Sequence, residues 1–271
     1  MVAQKEVIVT FDGSFDGFLC VVFAHYYDKV SPMQIQRHDQ VQLTLDGEFL
    51  HVETDMKKAA RVLKGLRNNV SEDAANHVYN AILSGKDDKY MAIFRYIQMG
   101  FKLGHMVDSY LQTDCVRRVH KLSRHVGREA HLLFGFCRFA EITAGGSTAE
   151  ADILARPTNI LYATISPKND VLHMVADHFT QRLMNHVWVI HDTARHQAAI
   201  YDGKKYMITP VPQGTKVTYA AGEENIQDLW LAFFNALTIE ARINPKLQRQ
   251  LLPLYFRKNM TEFKVPGFEK F

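Results

Sequence analysis

No apolar run in this chain approaches the roughly 20 residues that a membrane-spanning helix needs. The N-terminal stretch M-V-A-Q-K-E-V-I-V-T-F has no long apolar core, so a secretory leader is not expected. Cysteine is scarce. Cys20, Cys115 and Cys137 are odd in number, widely spaced and set among apolar neighbours. That pattern argues against a disulfide framework and against a cysteine-based zinc site. It fits buried free thiols in a reducing compartment, and a cytoplasmic location is the expectation. Excess charge is also missing, since 32 Lys and Arg stand against 29 Asp and Glu for a net +3. Such a balance does not mark a nucleic-acid binder, although a local basic stripe is easily hidden in it. The chain has no G-x-S-x-G, Walker or kinase signature, and its 13 His form neither H-E-x-x-H nor a deaminase-like array. Internal repeats and low-complexity segments are absent as well.

What is present is an ordinary globular mixture, 47% hydrophobic and 23% charged over 271 residues. The β-branched run Glu6 to Phe11 reads as a strand, Asp12-Gly13 as a turn, and Ser14 as the cap of a helix from Phe15. The glycines of D-G-S-F-D-G fit no phosphate-loop fingerprint, so that stretch reads as structural. Ser31-Pro32 opens a polar link, and short β-like pieces around Asp46-Gly47 suggest a hairpin. Thr54 or Asp55, then Ser71, then Asp87 or Asp88 each open a helix. Beyond Gly135, Phe136 to Ile142 and Ile160 to Ile165 read as strands with a loop at Gly145-Gly146-Ser147 between them. Val171 to Leu183 is an amphipathic helix. Val187 to His191, Gln197 to Tyr201 and Lys205 to Thr209 are short strands, the last two joined at Asp202-Gly203. Glu223 to Ala241 is a helix whose Ile226, Leu229, Trp230, Phe233, Phe234 and Leu237 point one way. The pattern predicts an α+β fold, a helical lobe packed with a mostly antiparallel sheet. We read one unit over 1–271, helical over 54–135, sheet-rich over 136–221 and helical again over 222–271.

The stretch from Asp114 to Glu141 carries the clearest functional pattern. Arg117, Lys121, Arg124, Arg128 and His131 follow a spacing of four, three, four, three. At about 100° per residue they fall in a stripe roughly 80° wide. Val119, Leu122, Val126, Ala130 and Leu133 share the rhythm and point the opposite way. A plain solvated helix face is one reading. Cations on such a face normally alternate with acids, however, and this stripe has none. Phosphate is the natural counter-charge, because Arg offers its oxygens a planar fork. Arg138, Lys246 and Arg249, with Arg257 and Lys258, extend the candidate track. Arg138 has a second reading as the buried partner of Glu141 or Glu129. Phe134 and Phe136 are candidates for stacking on an unpaired base, or for the core.

A separate reading is catalytic. His191 and Asp192 at a strand end, Glu141 after Arg138, and His178 on a helix are weak candidates for an acid/base site. One carboxylate and two imidazoles would also suit a divalent metal. Sequence separation does not bring these residues together, so no metal and no cofactor is assigned.

Several motifs then occur in order: F-D-G-S-F-D-G-F-L-C-V-V-F from Phe11, V-G-R-E-A-H-L-L-F-G-F-C-R-F from Val126, A-D-H-F-T-Q-R from Ala176, W-V-I-H-D from Trp188 and N-P-K-L-Q-R-Q-L-L-P from Asn244. Together they resemble the bacterial family of "probable DNA metabolism proteins", a domain otherwise of unknown function, over nearly the whole chain. The resemblance implies a genetic neighbour, a radical-SAM protein assigned to DNA modification or repair. It also implies that some members carry a C-terminal domain similar to uracil-DNA glycosylases, which is not expected in a chain ending at Phe271. With no C-x-x-x-C-x-x-C cluster, this chain is not expected to be the radical-SAM enzyme itself. The resemblance carries no catalytic residues. The expectation is an accessory DNA-binding protein of a modification or repair system. The alternatives are a DNA repair enzyme with a His/carboxylate site and a protein-interaction subunit of the radical-SAM partner.

Overall fold

The first strand forms where β-branched residues are densest. Glu6–Phe11 (β1) is the middle strand of a three-stranded sheet ordered β2-β1-β3, with Ser31–Arg37 as β2 and Phe49–His51 as β3. Both pairings are parallel. Between β1 and β2 runs helix α1, Phe15–Tyr27, whose first turn is closed by the Ser14 hydroxyl accepting from the Gly17 amide. Asp12 folds over that turn, accepting from the Ser14 amide and hydroxyl and from Thr54. A Cβ at Gly17 would collide with the Asp12 carboxylate, which is why glycine occupies that position. The computed structural model describes residues 6–40, 48–143 and 160–263. The expected turn at Asp46-Gly47 and the loop at Gly145-Gly146-Ser147 lie outside the described residues.

Helices follow in the order their caps predict. Met56–Asn69 (α2) starts at Asp55, Glu72–Ile82 (α3) at Ser71 and Lys89–Leu103 (α4) at Asp88. Lys89 is buried and donates to the carbonyls of Ile82 and Ser84, where α3 ends. A 3-10 turn, Gly104–Ser109, leads to Asp114–Phe136 (α5). The remaining elements are strand β4 (Phe139–Ile142), strand β5 (Ile160–Ile165), helix α6 (Leu172–Arg182) and strands β6 (Val187–Asp192), β7 (Gln197–Tyr201) and β8 (Tyr206–Pro210). Helices α7 (Glu223–Leu237), α8 (Pro245–Leu251) and α9 (Leu254–Arg257) close the described chain.

The chain divides into two compact units, Met1–Gly127 and Arg128–Phe271. In the first, Phe11, Phe18 and Tyr90 pack with ring centroids 5.1 to 6.0 Å apart. Leu66, Ile93, Ile97, Val119 and Leu122 continue that core. In the second, the sheet runs β4-β5-β6-β7-β8. Its β5–β6 pair is parallel, as a crossover through α6 requires, and the other pairs are antiparallel. Trp188 and Ile190 are buried on one face of β6, and Leu172, Val175 and Phe179 are the buried side of α6.

The fold is α+β, with a mixed five-stranded sheet and a second sheet that is parallel throughout. Two local readings need correction. Ser31-Pro32 opens a strand rather than a link; β2 is an edge strand, where a proline near the start is tolerated. Gly135 does not end α5, which continues to Phe136. The apolar side of α7 is uncovered: Leu229 is 71% exposed and Phe233 54%.

One buried charge fixes the local fold of the second unit. Glu129 is 4% exposed and accepts from the amides of Lys168 and Asn169, from the Asn169 side chain and from the Tyr255 hydroxyl. Glu129→Ala would leave these donors without an acceptor, at a cost on the order of 3 kcal/mol. Both tryptophans, Trp188 and Trp230, lie in this unit. Denaturant unfolding followed by tryptophan fluorescence should show that loss, and a change below about 0.5 kcal/mol would contradict the assignment.

Candidate functional site

Helix α5 has the two faces its sequence requires. Val116, Val119, Leu122, Val126, Ala130 and Leu133 are buried. Within the first unit, Arg117, Lys121 and Arg124 are exposed; in the part of α5 belonging to the second unit, Arg128 and His131 are exposed. Arg117 is paired with Asp114 one turn earlier, and the neighbouring Arg118 with Asp88. Lys121, Arg124 and Arg128 make no ion pair among the described residues. The start of the stripe borders a cleft of about 510 Å³ lined by Arg95, Arg117, Arg118 and Lys121 against the acids Asp88 and Asp114. Four cations to two carboxylates leave it net positive.

The other candidate cations separate into two groups. Lys246 and Arg249 are exposed on α8, and Lys258 is exposed beyond α9. Arg138 is structural. Its partner is neither Glu141 nor Glu129 but Glu262, which is 2% exposed and receives a two-pronged contact from Nε and Nη2. The same guanidinium lies 5.4 Å from the Trp230 ring centroid and donates to the Gly135 carbonyl. Arg257 is buried over the Phe263 ring and donates to Gln248, so it lies off any surface track. The two aromatic candidates are occupied too. Phe134 stacks on His178 at 4.2 Å, and Phe136 packs against Phe256.

The catalytic candidates are spread over the second sheet and α6. His191 shares a hydrogen bond of 2.7 Å with the Tyr162 hydroxyl, in a cleft of about 530 Å³ whose other lining is largely apolar. Asp192, the next residue along the strand, is on the opposite face and fully buried. Its carboxylate accepts from the Ala194 and Arg195 amides and from the Arg195 side chain, which holds the turn to β7. Glu141 is in register with Leu161, and Leu161 with Trp188, so Glu141 belongs to the Trp188 face, opposite His191. His178 is stacked on Phe134. The sheet therefore separates His191 from both carboxylates.

A different group of metal-ligand types does assemble, within the first unit. His77 on α3, Asp108 in the 3-10 turn and His120 on α5 bring one ligand atom each to within 4.8 Å of one another. His120 Nε2 is 2.7 Å from Asp108 Oδ1, and His77 Nδ1 is 3.6 Å from the same oxygen. Tyr96 on α4 donates to that oxygen at 2.6 Å. Sequence scanning overlooked this set because its members are 31 and 12 residues apart (77 to 108, 108 to 120), on separate elements. Only the number of histidines hinted at it.

The structure thus defines an α+β protein with an exposed cationic helix and a polar centre between helices of its first unit. The chain belongs to the family described as a domain of unknown function, DUF4130, whose model matches residues 87–262. No curated protein matches it. Among the described residues, no helix is long and apolar enough to cross a membrane.

Two outcomes follow from these surroundings. Arg138→Ala would strand the buried Glu262 carboxylate and cost about 3–5 kcal/mol. Unfolding measurements would show it, and a neutral substitution would mean the pair is not structural. The second concerns pH. Burial lowers the pKa of His77, His173, His178 and His191 below the ordinary 6.5, so the folded state favours their neutral forms. Their contribution is complete above 6.5 and is lost as the pH falls through the lowered values, because the unfolded chain binds protons first. Melting temperature should decline from about pH 7.5 to 5.5; a flat or rising profile would contradict this.

Proposed function

We propose that this protein binds the phosphate backbone of DNA through the exposed face of α5, as an accessory component of a DNA modification or repair system. The observation that carries the reading is that Lys121, Arg124 and Arg128 are exposed and make no ion pair among the described residues. Cations left uncompensated on one helix face attract a polyanion, and released counterions add to the affinity. Lys246 and Arg249 are further exposed cations of the second unit. Arg138 and Arg257 are excluded from the contact set, since both are held inside the fold. The class of nucleic acid and the setting rest on the resemblance to DNA metabolism proteins. Phosphate contacts confer affinity without choosing a sequence, which suits an accessory role.

One observation favours a second reading, a subunit that docks a protein such as the radical-SAM neighbour. Ile226, Leu229, Phe233 and Leu237 form an exposed apolar row on α7, and rows of this kind mark interaction surfaces. A catalytic role for His191 has less support, because no carboxylate candidate shares its face.

The experiment is fluorescence anisotropy of labelled single- and double-stranded DNA against salt, for the natural protein and a Lys121→Ala/Arg124→Ala/Arg128→Ala variant of verified fold. Each duplex phosphate contact contributes about −0.9 to the log–log slope, so the variant slope should flatten by roughly 2 to 3. Equal slopes in the two proteins would reject α5 as the contact surface and leave the α7 row as the leading functional feature.

A further inference from the structure

We infer that His77, Asp108 and His120 form a binding site for one divalent transition-metal ion, with Tyr96 orienting the carboxylate. The inference is independent of any nucleic-acid binding. Its first support is where the ligands come from. Three donors from α3, the 3-10 turn and α5, together with the buttressing Tyr96 of α4, meet at one point. Sites held by rigid elements need little rearrangement to accept an ion.

The second support is an unanswered polar atom. His77 Nδ1 is buried and has no hydrogen-bond partner among the described residues; Asp108 Oδ1, at 3.6 Å, is too far away to serve as one. A buried imidazole nitrogen without a partner is costly, and a cation is a partner it lacks. Neutral imidazole is the metal-binding form, and burial favours that form here.

The third support is distance. With metal–nitrogen and metal–oxygen bonds near 2.1 Å, neighbouring ligand atoms around an ion sit about 3.0–3.4 Å apart. His77 Nδ1 and Asp108 Oδ1 are 3.6 Å apart, and His120 Nε2 and Asp108 Oδ1 are 2.7 Å apart. Adjustments of less than an ångström bring both pairs into that range. On metal binding, the hydrogen bond between His120 and Asp108 gives way: neutral His120 carries its one ring proton on Nδ1, and its Nε2 lone pair and the Asp108 carboxylate oxygen become ligands.

Two imidazoles and one carboxylate select ions such as Zn²⁺, Fe²⁺ or Co²⁺ over Mg²⁺ and Ca²⁺, which prefer oxygen. The side chains of His77, Asp108 and His120 remain 28, 26 and 19% exposed, so solvent reaches the site. Three protein ligands with solvent access leave a position open for water or an oxyanion. Tyr96 is fully buried, and its hydroxyl donates to Asp108 Oδ1 at 2.6 Å. It is a positioning residue, fixing which way the carboxylate points.

The test uses the full chain stripped with a chelator. Zn²⁺ is titrated by calorimetry and Co²⁺ by its visible absorption bands, against the natural protein, His77→Gln, Asp108→Asn and Tyr96→Phe. One equivalent should bind to the natural protein. His77→Gln and Asp108→Asn should weaken binding at least tenfold, and Tyr96→Phe by about 10-fold to 100-fold. His77→Gln serves as the folding control, because His77 Nδ1 makes no hydrogen bond to lose among the described residues. Its metal-free melting temperature should match the natural protein, while the rise on adding Zn²⁺ disappears. Absence of binding, or binding that all three variants leave unchanged, would overturn the site and assign any bound metal to other surface histidines.

Discussion

The helical period of α5 is the constraint on which the rest depends. Residues placed four and three apart must share a face, so a sequence that alternates cations with Val and Leu at that spacing has to bury one row and expose the other. The energies decide which row governs. Fully burying Val119, Leu122, Val126 and Leu133 is worth about 1.5–3 kcal/mol for each side chain. Repulsion between neighbouring like charges on a helix is only a few tenths of a kcal/mol for each pair. The apolar row therefore holds the helix in place although Lys121, Arg124 and Arg128 make no ion pair among the described residues, and no bound anion is needed for folding. Among the described residues, that leaves the charge of Lys121, Arg124 and Arg128 without an intramolecular counter-charge.

Within the second unit the opposite solution also appears. Glu129, Asp192 and Glu262 are taken out of water, and each is met by several donors. Desolvating a carboxylate costs several kcal/mol, which only multiple hydrogen bonds or a forked guanidinium can offset. This divides the arginines by role. Arg138, clamped on Glu262 beneath Trp230, and Arg195, clamped on Asp192, hold the fold. Arg124 and Arg128 differ from them in having no such partner among the described residues. Both kinds look alike as letters in the sequence; only a partner far along the chain distinguishes them.

That distinction explains what could be read in advance. Strands β1 and β5 are readable from their β-branched residues, and β7 from the turn at Asp202-Gly203 that follows it. These signals act over a few residues. Strand β2 was hidden because Pro32 and the polar Gln34 and Gln36 resemble a link, and only its place at the sheet edge makes them acceptable. The stripe on α5 was readable because one helix generates it. The Arg138–Glu262 pair, 124 residues apart, was not. Nor was the meeting of His77, Asp108 and His120, which depends on how four helical segments pack. Periodicity also identified the apolar row of α7 correctly, yet it carries no information on whether anything covers that row.

Helix α5 carries both His120 and the exposed cations. His120 is three residues after Arg117 and four before Arg124, so it neighbours both on the helix surface. A divalent ion held by His120 would add positive charge within a Debye length, about 10 Å at 0.1 M salt, of these two cations. The field at the exposed face would strengthen, and phosphate bound there would in turn favour the ion. Such coupling is reciprocal by thermodynamic necessity, whatever its size. Protonation acts against it: a proton on His77 occupies the nitrogen the metal needs, so acid would weaken the ion and, through it, the attraction for phosphate. A single amphipathic helix would thereby link the proposed half-buried coordination site to the proposed phosphate-binding face without any change in the fold.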